Sequence, residues 1–162
     1  MNPAAPTVAE AIGQTKPFAS KRQEGVLALL LATEAVRWRI TQLLARHGEV
    51  TMQQYNVLRI LRGAGAKGLP TLSIVERMIE HTPGITRLID RLEAKKLVAR
   101  DRAAEDRRQV LCRITPHGLA ELKALDSVVD RADQDALASL NEQEVATLIR
   151  LLNKVRIHQS ER

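Results

Sequence analysis

The residues best suited to chemistry in this sequence are arginines set beside hydroxyl groups, in two clusters a short distance apart. The first cluster is Thr82-Pro83-Gly84-Ile85-Thr86-Arg87-Leu88-Ile89-Asp90-Arg91 and the second is Asp106-Arg107-Arg108. A guanidinium is a planar fork that bridges two acceptors on a guanine edge or grips a phosphate. Ile85, Leu88, Ile89 and Leu92 recur at i, i+3, i+4 and i+7, which predicts a helix with one narrow apolar stripe. Thr86, Arg87, Asp90 and Arg91 then point away from the stripe. Thr82 is expected to cap this helix and Pro83 to sit in its first turn, where a missing amide costs nothing. Asp90 reads as an intrahelical partner, because a carboxylate turned toward phosphates would repel them.

Strand-like alternation follows at once: Val98 and Arg100 on one side, Val110, Cys112 and Ile114 on the other. The loop between, residues 102–108, carries three arginines and two acids. Arg107 and Arg108 suit insertion into a narrow minor groove, where negative potential concentrates, and Asp106 is placed to brace one of them. A helix with a cationic outer face followed by a hairpin with a cationic tip fits one groove of duplex DNA and reaches the next. The plain alternatives for such charges are a solvated helix face and a surface ion pair.

Other chemistries find little support in the residue types. His47, His81, His117 and His158 are scattered, with no i, i+4 pair among them and no cysteine pair to complete a metal site, so neither metal nor cofactor is expected. No glycine-rich phosphate loop or serine elbow is present, and no catalytic residue is expected. Phe18, Trp38 and Tyr55 are the only aromatic residues, too few for a base-stacking platform on single strands. The lone Cys112 has no partner for an internal disulfide, which suits a reducing cytoplasm; on the apolar side of a strand it reads as a small buried hydrophobe. The longest apolar run, residues 26–32, is far too short to span a bilayer. A formal charge of +6 over 162 residues favours a polyanionic partner, although charge of this size also serves solubility.

The elements that must hold the arginines are legible from caps and periodicity. Residues 1–20, with three prolines, read as a flexible tail. A helix is predicted over 21–46; its 26–32 stretch is apolar on every side and must be covered all round, for which a partner subunit is the natural cover. Thr51-Met52-Gln53-Gln54 is a capping box opening a helix to about Arg62, with Tyr55, Leu58 and Leu61 inward. Gly63, Gly65, Gly68 and Pro70 read as a loop, and residues 72–79 as a short helix packing Ile74, Val75 and Met78. Thr115-Pro116 starts a long helix whose seam runs through Leu119, Leu122, Leu125, Val129, Ala132, Ala136 and Leu140. Asn141-Glu142-Gln143-Glu144 caps a last helix with Val145, Leu148, Ile149, Leu152 and Val155 inward.

Taken in order, Ile85-Thr86-Arg87-Leu88-Ile89-Asp90-Arg91-Leu92-Glu93, Leu97-Val98, Arg100, Asp106-Arg107-Arg108 and Ile114-Thr115-Pro116-His117-Gly118 resemble the MarR family of winged-helix transcription regulators, over roughly residues 27–152. The resemblance implies a mainly α fold with a small β-hairpin wing. Residues 51–115 would form the winged helix-turn-helix DNA-binding domain, and 21–50 with 116–162 the helical dimerisation domain. It also implies a cytoplasmic homodimer on a pseudo-palindromic operator of double-stranded DNA, usually repressing transcription and often released by a small phenolic or anionic effector. Thr82, Pro83, Gly84, Thr86, Arg87 and Arg91 would form the recognition helix surface, and Asp106, Arg107 and Arg108 the wing. Arg37, Trp38, Tyr55 and Arg59 are conceivable effector-lining residues, with core packing the first expectation for Trp38 and Tyr55. Two departures stand out. Lys96 occupies the place where the family has glycine after the recognition helix, at a cost of about 1 kcal/mol if the backbone there is left-handed. Gly84 stands where hydroxyl side chains are usual and offers only its backbone. The rival reading from another class is a helical protein-interaction or nucleoid-associated protein without operator specificity, which has no need for an arginine-tipped hairpin beside a capped, outward-polar helix.

Overall fold

Five of the described helices begin where a side chain caps the first turn. The computed structural model describes residues 6–48, 50–80, 83–102 and 110–160. Thr7 caps a single turn, α1 (Val8–Ala11), with the reciprocal Glu10 contact back to its own amide. This turn lies within the stretch expected to be a flexible tail. The long helix α2 (Lys21–His47) opens with the Gln23 amide donating to Ser20 Oγ at 3.1 Å. The chain divides into two compact units, Met1–Arg39 and Ile40–Arg162, and the boundary falls inside α2. Within the first unit Val26, Leu30 and Trp38 are exposed, Trp38 by 64%, so the core role expected for its ring is not met within one chain.

The second unit contains the remaining elements. Thr51 Oγ1 accepts from the Gln54 amide at 3.2 Å while Gln54 Oε1 accepts from the Thr51 amide at 3.1 Å, and α3 (Met52–Ala64) follows, as its capping box predicts. Next come a 3-10 turn (Gly65–Lys67), β1 (Leu69–Pro70), α4 (Thr71–Val75), α5 (Ile85–Ala94), β2 (Val98–Arg102), β3 (Val110–Ile114), α6 (Pro116–Ala136) and α7 (Glu142–Ser160). The three strands form one antiparallel sheet in the order β1-β3-β2. β1 corrects the expectation of a simple loop: Leu69 and Pro70 pair with Cys112 and Leu111, and the proline is tolerated because this strand is a sheet edge. α4 is shorter than the predicted 72–79 helix. Its end tightens through Arg77 and Met78 amides bonded to the carbonyls of Ile74 and Val75, three residues back, which closes the turn and stops the helix.

The core sits where α3 crosses the sheet and α6. Val57, Leu58, Leu61, Ile74, Ile89, Leu92, Val98, Cys112, Leu122 and Leu125 are all buried. Each fully buried aliphatic side chain contributes about 1.5–3 kcal/mol. Leu122, Leu125, Val129 and Ala132 bear out the α6 seam, whereas Leu119 is exposed. α7 keeps the Asn141–Glu144 reciprocal cap, at 2.9 and 3.0 Å, but buries no described side chain.

The end of α5 fixes the hairpin's starting direction. The Leu97 amide bonds the Leu92 carbonyl at 2.9 Å and the Lys96 amide bonds that of Glu93 at 2.8 Å, the paired bonds of a Schellman closure, whose penultimate residue must be left-handed. Lys96 fills that place with φ 59°. The turn survives without glycine because the start of α6 holds it: Thr115 Oγ1 donates to the Lys96 carbonyl at 2.7 Å and the Thr115 amide to that of Leu97 at 3.0 Å. Gly118 completes the contact, since a Cβ there would lie 2.2 Å from the Leu97 carbonyl oxygen. In urea unfolding, Lys96→Gly should raise stability by roughly 0.5–1 kcal/mol by removing the left-handed penalty. Gly118→Ala should lower it by about 1–3 kcal/mol through overpacking against backbone. The opposite signs would refute this account of the turn.

Candidate nucleic-acid interface

α5 owes its orientation to its apolar stripe. Leu88, Ile89 and Leu92 are buried and Ile85 half-buried, which leaves Thr86, Arg87, Asp90 and Arg91 exposed, the face expected from the sequence. Its start differs. The helix begins at Ile85, preceded by Gly84 at φ 82°, ψ 32°, a left-handed residue with no side-chain cap. Such a residue interrupts helical continuity, so Pro83 belongs to a turn before the helix instead of its first turn. Pro83 and Gly84 are both exposed. Thr82, expected as the cap, lies outside the described residues, as do Asp106, Arg107 and Arg108; β2 runs out to Arg102 and β3 returns from Val110 on either side of the latter three.

The carboxylates of α5 are engaged across the structure and not along the helix. Arg100, on β2, places Nη2 at 2.5 Å from Asp90 Oδ1 and 3.3 Å from the Thr86 carbonyl, and Nη1 at 3.2 Å from Glu93 Oε2. Asp90 therefore pairs with the strand, which corrects its reading as an intrahelical partner. Arg100 meets Asp90 from the adjacent strand, and the same guanidinium also contacts Glu93 and the Thr86 carbonyl. Burial pulls the Arg100 pKa down, but its hydrogen bond to Asp90 and the fields of Glu93 and Asp90 outweigh it, and the pKa is raised. Arg87 and Arg91 have no carboxylate partner among the described residues. A second arginine braces the sheet: Arg113 on β3 donates from Nη1 to Asp101 Oδ2 at 2.5 Å and from Nε to the Ala66 carbonyl at 2.8 Å. Neither role was read from the sequence; the only hint was the side of the strand on which each arginine falls.

Tyr55 and Arg59, two of the four conceivable effector residues, meet in a cleft of about 230 Å³ between α3, the α4–α5 connection and α6, where Met52, Met78, Ile79 and Asp133 also contribute. The Arg59 guanidinium lies 6.0 Å from the Tyr55 ring centroid. Burial, then Asp126, pushes the Tyr55 hydroxyl pKa up, so it stays a neutral donor. Arg37 and Trp38 belong to the other unit, where Arg37 lies 3.8 Å from Glu34. The roles of the methionines and Glu80 here were not anticipated; they come together from α3 and the α4–α5 connection, and no local signal marks them. Cys112 is fully buried, with Thr71 Oγ1 3.9 Å from its sulfur. Among the described residues no group of three His, Cys, Asp or Glu side chains is disposed to hold a metal ion. No described helix is long and apolar enough to cross a membrane.

Comparison with known proteins agrees with this geometry. A MarR transcription factor from Planctomyces limnophilus has 37% sequence identity and a TM-score of 0.65, with 85% of this chain and 98% of that one covered. BpsR of Bordetella bronchiseptica, whose DNA binding is regulated by 6-hydroxynicotinic acid, has 27% identity and a TM-score of 0.74 over 87% of this chain and 98% of its own. An uncharacterized HTH-type transcriptional regulator of Bacillus subtilis, YdgG, is 30% identical over 128 residues, 78% of this chain and 82% of the relative. The family model described as the MarR family matches residues 50–110, the stretch that holds the capped α3, the outward-polar α5 and the first strand of the hairpin; the chain belongs to the MarR family of winged-helix transcription regulators.

Proposed function

We propose that this regulator acts as a cytoplasmic homodimer that binds a pseudo-palindromic operator in double-stranded DNA and represses transcription. The observation that carries the reading is the exposed face of α5, where Arg87 and Arg91 stand without a carboxylate partner among the described residues, beside Thr86, while Leu88, Ile89 and Leu92 turn inward. In this reading α5 lies in the major groove, with Pro83 and Gly84 approaching through backbone and Thr82 at the leading end. Arg107 and Arg108, steadied by Asp106, enter the adjacent minor groove. Thr86, Arg87 and Arg91 read or clamp.

The apolar side chains left exposed on one chain support the dimer. Val26, Leu30 and Trp38 on α2 are exposed in one unit and Ile149, Leu152 and Val155 on α7 in the other, and each helix thereby turns apolar surface to solvent. A twin subunit would cover it and set two recognition helices about 34 Å apart, one turn of duplex. The Tyr55–Arg59 cleft suits a small aromatic acid, with a ring against Met52 and Met78 and its anion toward Arg59. BpsR, with its hydroxynicotinic acid, is a relative with that kind of ligand. The cleft borders Met78, Ile79 and Glu80, the connection that leads to α5, so an occupant there would bear on the position of the recognition helix.

If a dimer neutralises some 6–10 phosphates, affinity in mobility-shift titrations should drop by about 10³ to 10⁵ between 50 and 200 mM salt, and a flat response would remove the electrostatic mechanism. Arg87→Ala and Arg108→Glu should each weaken binding by about 1–3 kcal/mol with unfolding curves unchanged; undiminished affinity would withdraw the role of the residue concerned. Replacing Leu152 and Val155 by aspartate should shift the sedimentation coefficient to that of a monomer, and a dimer that persists would place the interface elsewhere. A hydroxylated aromatic acid that occupies the cleft should raise the melting temperature and lose that effect in Arg59→Ala; equal shifts in both proteins would exclude the cleft.

A further inference from the structure

The charges of α5 present a difficulty that the rest of the hairpin resolves. Between Ile85 and Ala94 the helix carries two arginines, Arg87 and Arg91, and two carboxylates, Asp90 and Glu93, so by itself it is electrically neutral. Asp90 stands three residues after Arg87, a spacing at which opposite charges meet on a helix surface. Left alone, Asp90 would either capture Arg87 or face the phosphates as a like charge. Neither happens. Arg100 reaches across from β2, and its fork takes up Asp90 at 2.5 Å, Glu93 at 3.2 Å and the Thr86 carbonyl at 3.3 Å, a footprint spanning two turns of the helix. Its side chain is 25% exposed, against 52% for Asp90 and 42% for Glu93, so the cation sits beneath the carboxylates and draws them toward the sheet.

We propose that Arg100 is a positioning residue for DNA binding: it collects both carboxylates of the recognition helix onto the root of the wing and so leaves Arg87 unpaired for the duplex. The inference rests on the DNA-binding reading above. It gives the hairpin a task apart from its tip, since the same guanidinium that discharges the helix also ties the direction of β2 to it. A lysine would not serve equally. Its ammonium is a point donor and does not span two carboxylates and a carbonyl as a planar fork does.

The test is a double-mutant cycle on the full chain, with a duplex fragment retained by the wild-type protein as probe and urea unfolding as the control for folding. Arg100→Ala should weaken binding about five- to tenfold, as expected for loss of one charged contact to DNA, because Asp90 then holds Arg87. In an Asp90→Asn background the same Arg100→Ala change should cost less than about twofold, since the competing carboxylate is gone. A merely structural arginine would cost the same in both backgrounds, and that result overturns the proposal, as does wild-type affinity in Arg100→Ala. Should Arg100→Ala not fold, Arg100→Lys serves in its place: a smaller loss that Asp90→Asn abolishes supports the proposal, and one that persists overturns it. Failure of the wild-type protein to retain any duplex would overturn the functional reading itself, and the proposal with it, before a variant is made.

Discussion

The rotation of α5 about its own axis is the constraint from which the other features follow. Three buried side chains, Leu88, Ile89 and Leu92, admit a single orientation against α3 and the sheet, because a turn of the helix by even one residue would bring an arginine into the core. That orientation decides which side chains face outward. It also decides where the helix ends, since Leu92 and Glu93 supply the carbonyls that the Schellman closure uses and Leu97 is buried directly after it. The hairpin then departs from a turn held by Thr115 and Gly118 of α6, so the wing is aimed from the same buried stripe that aims the helix.

Electrostatics divides the surface thus produced into spent and unspent charge. Arg100 and Arg113 are spent within the protein: one gathers Asp90 and Glu93, the other links Asp101 to the carbonyl of Ala66. Arg62, drawn to Asp126 at 2.6 Å, joins α3 to α6 in the same manner, and its hydrogen bond to Asp126 raises its pKa. Such half-exposed pairs contribute about 0–1 kcal/mol each, too little to explain the fold. Their effect is better sought in geometry, in which guanidinium groups are held and which stay available on α5.

Local signals made much of this legible in advance. The caps at Thr51, Thr115 and Asn141 depend on residues three positions apart, and periodicity alone picked out the stripes of α5 and α6. The strands of the hairpin followed from alternation at Val98, Arg100, Val110, Cys112 and Ile114. What escaped depended on distant partners or on a single backbone angle. β1 is two residues long and exists only because β3 lies alongside it. Asp90 finds its arginine ten positions away on another element, and the cleft around Tyr55 draws its methionines from both ends of the α3–α4 segment. The true start of α5 turned on the positive φ of Gly84, which a cap-and-proline pattern at residues 82–83 conceals.

Selection of bound fragments from random duplex DNA at physiological salt is the most direct check on the proposed dimer, because two outward-polar helices related by a twofold axis would leave their symmetry in the sequences they retain. Such a dimer should enrich a pseudo-palindrome with half-sites separated by about 10 base pairs centre to centre, one helical turn. Retention that depends on fragment length alone, or an enriched site without twofold symmetry, would contradict it.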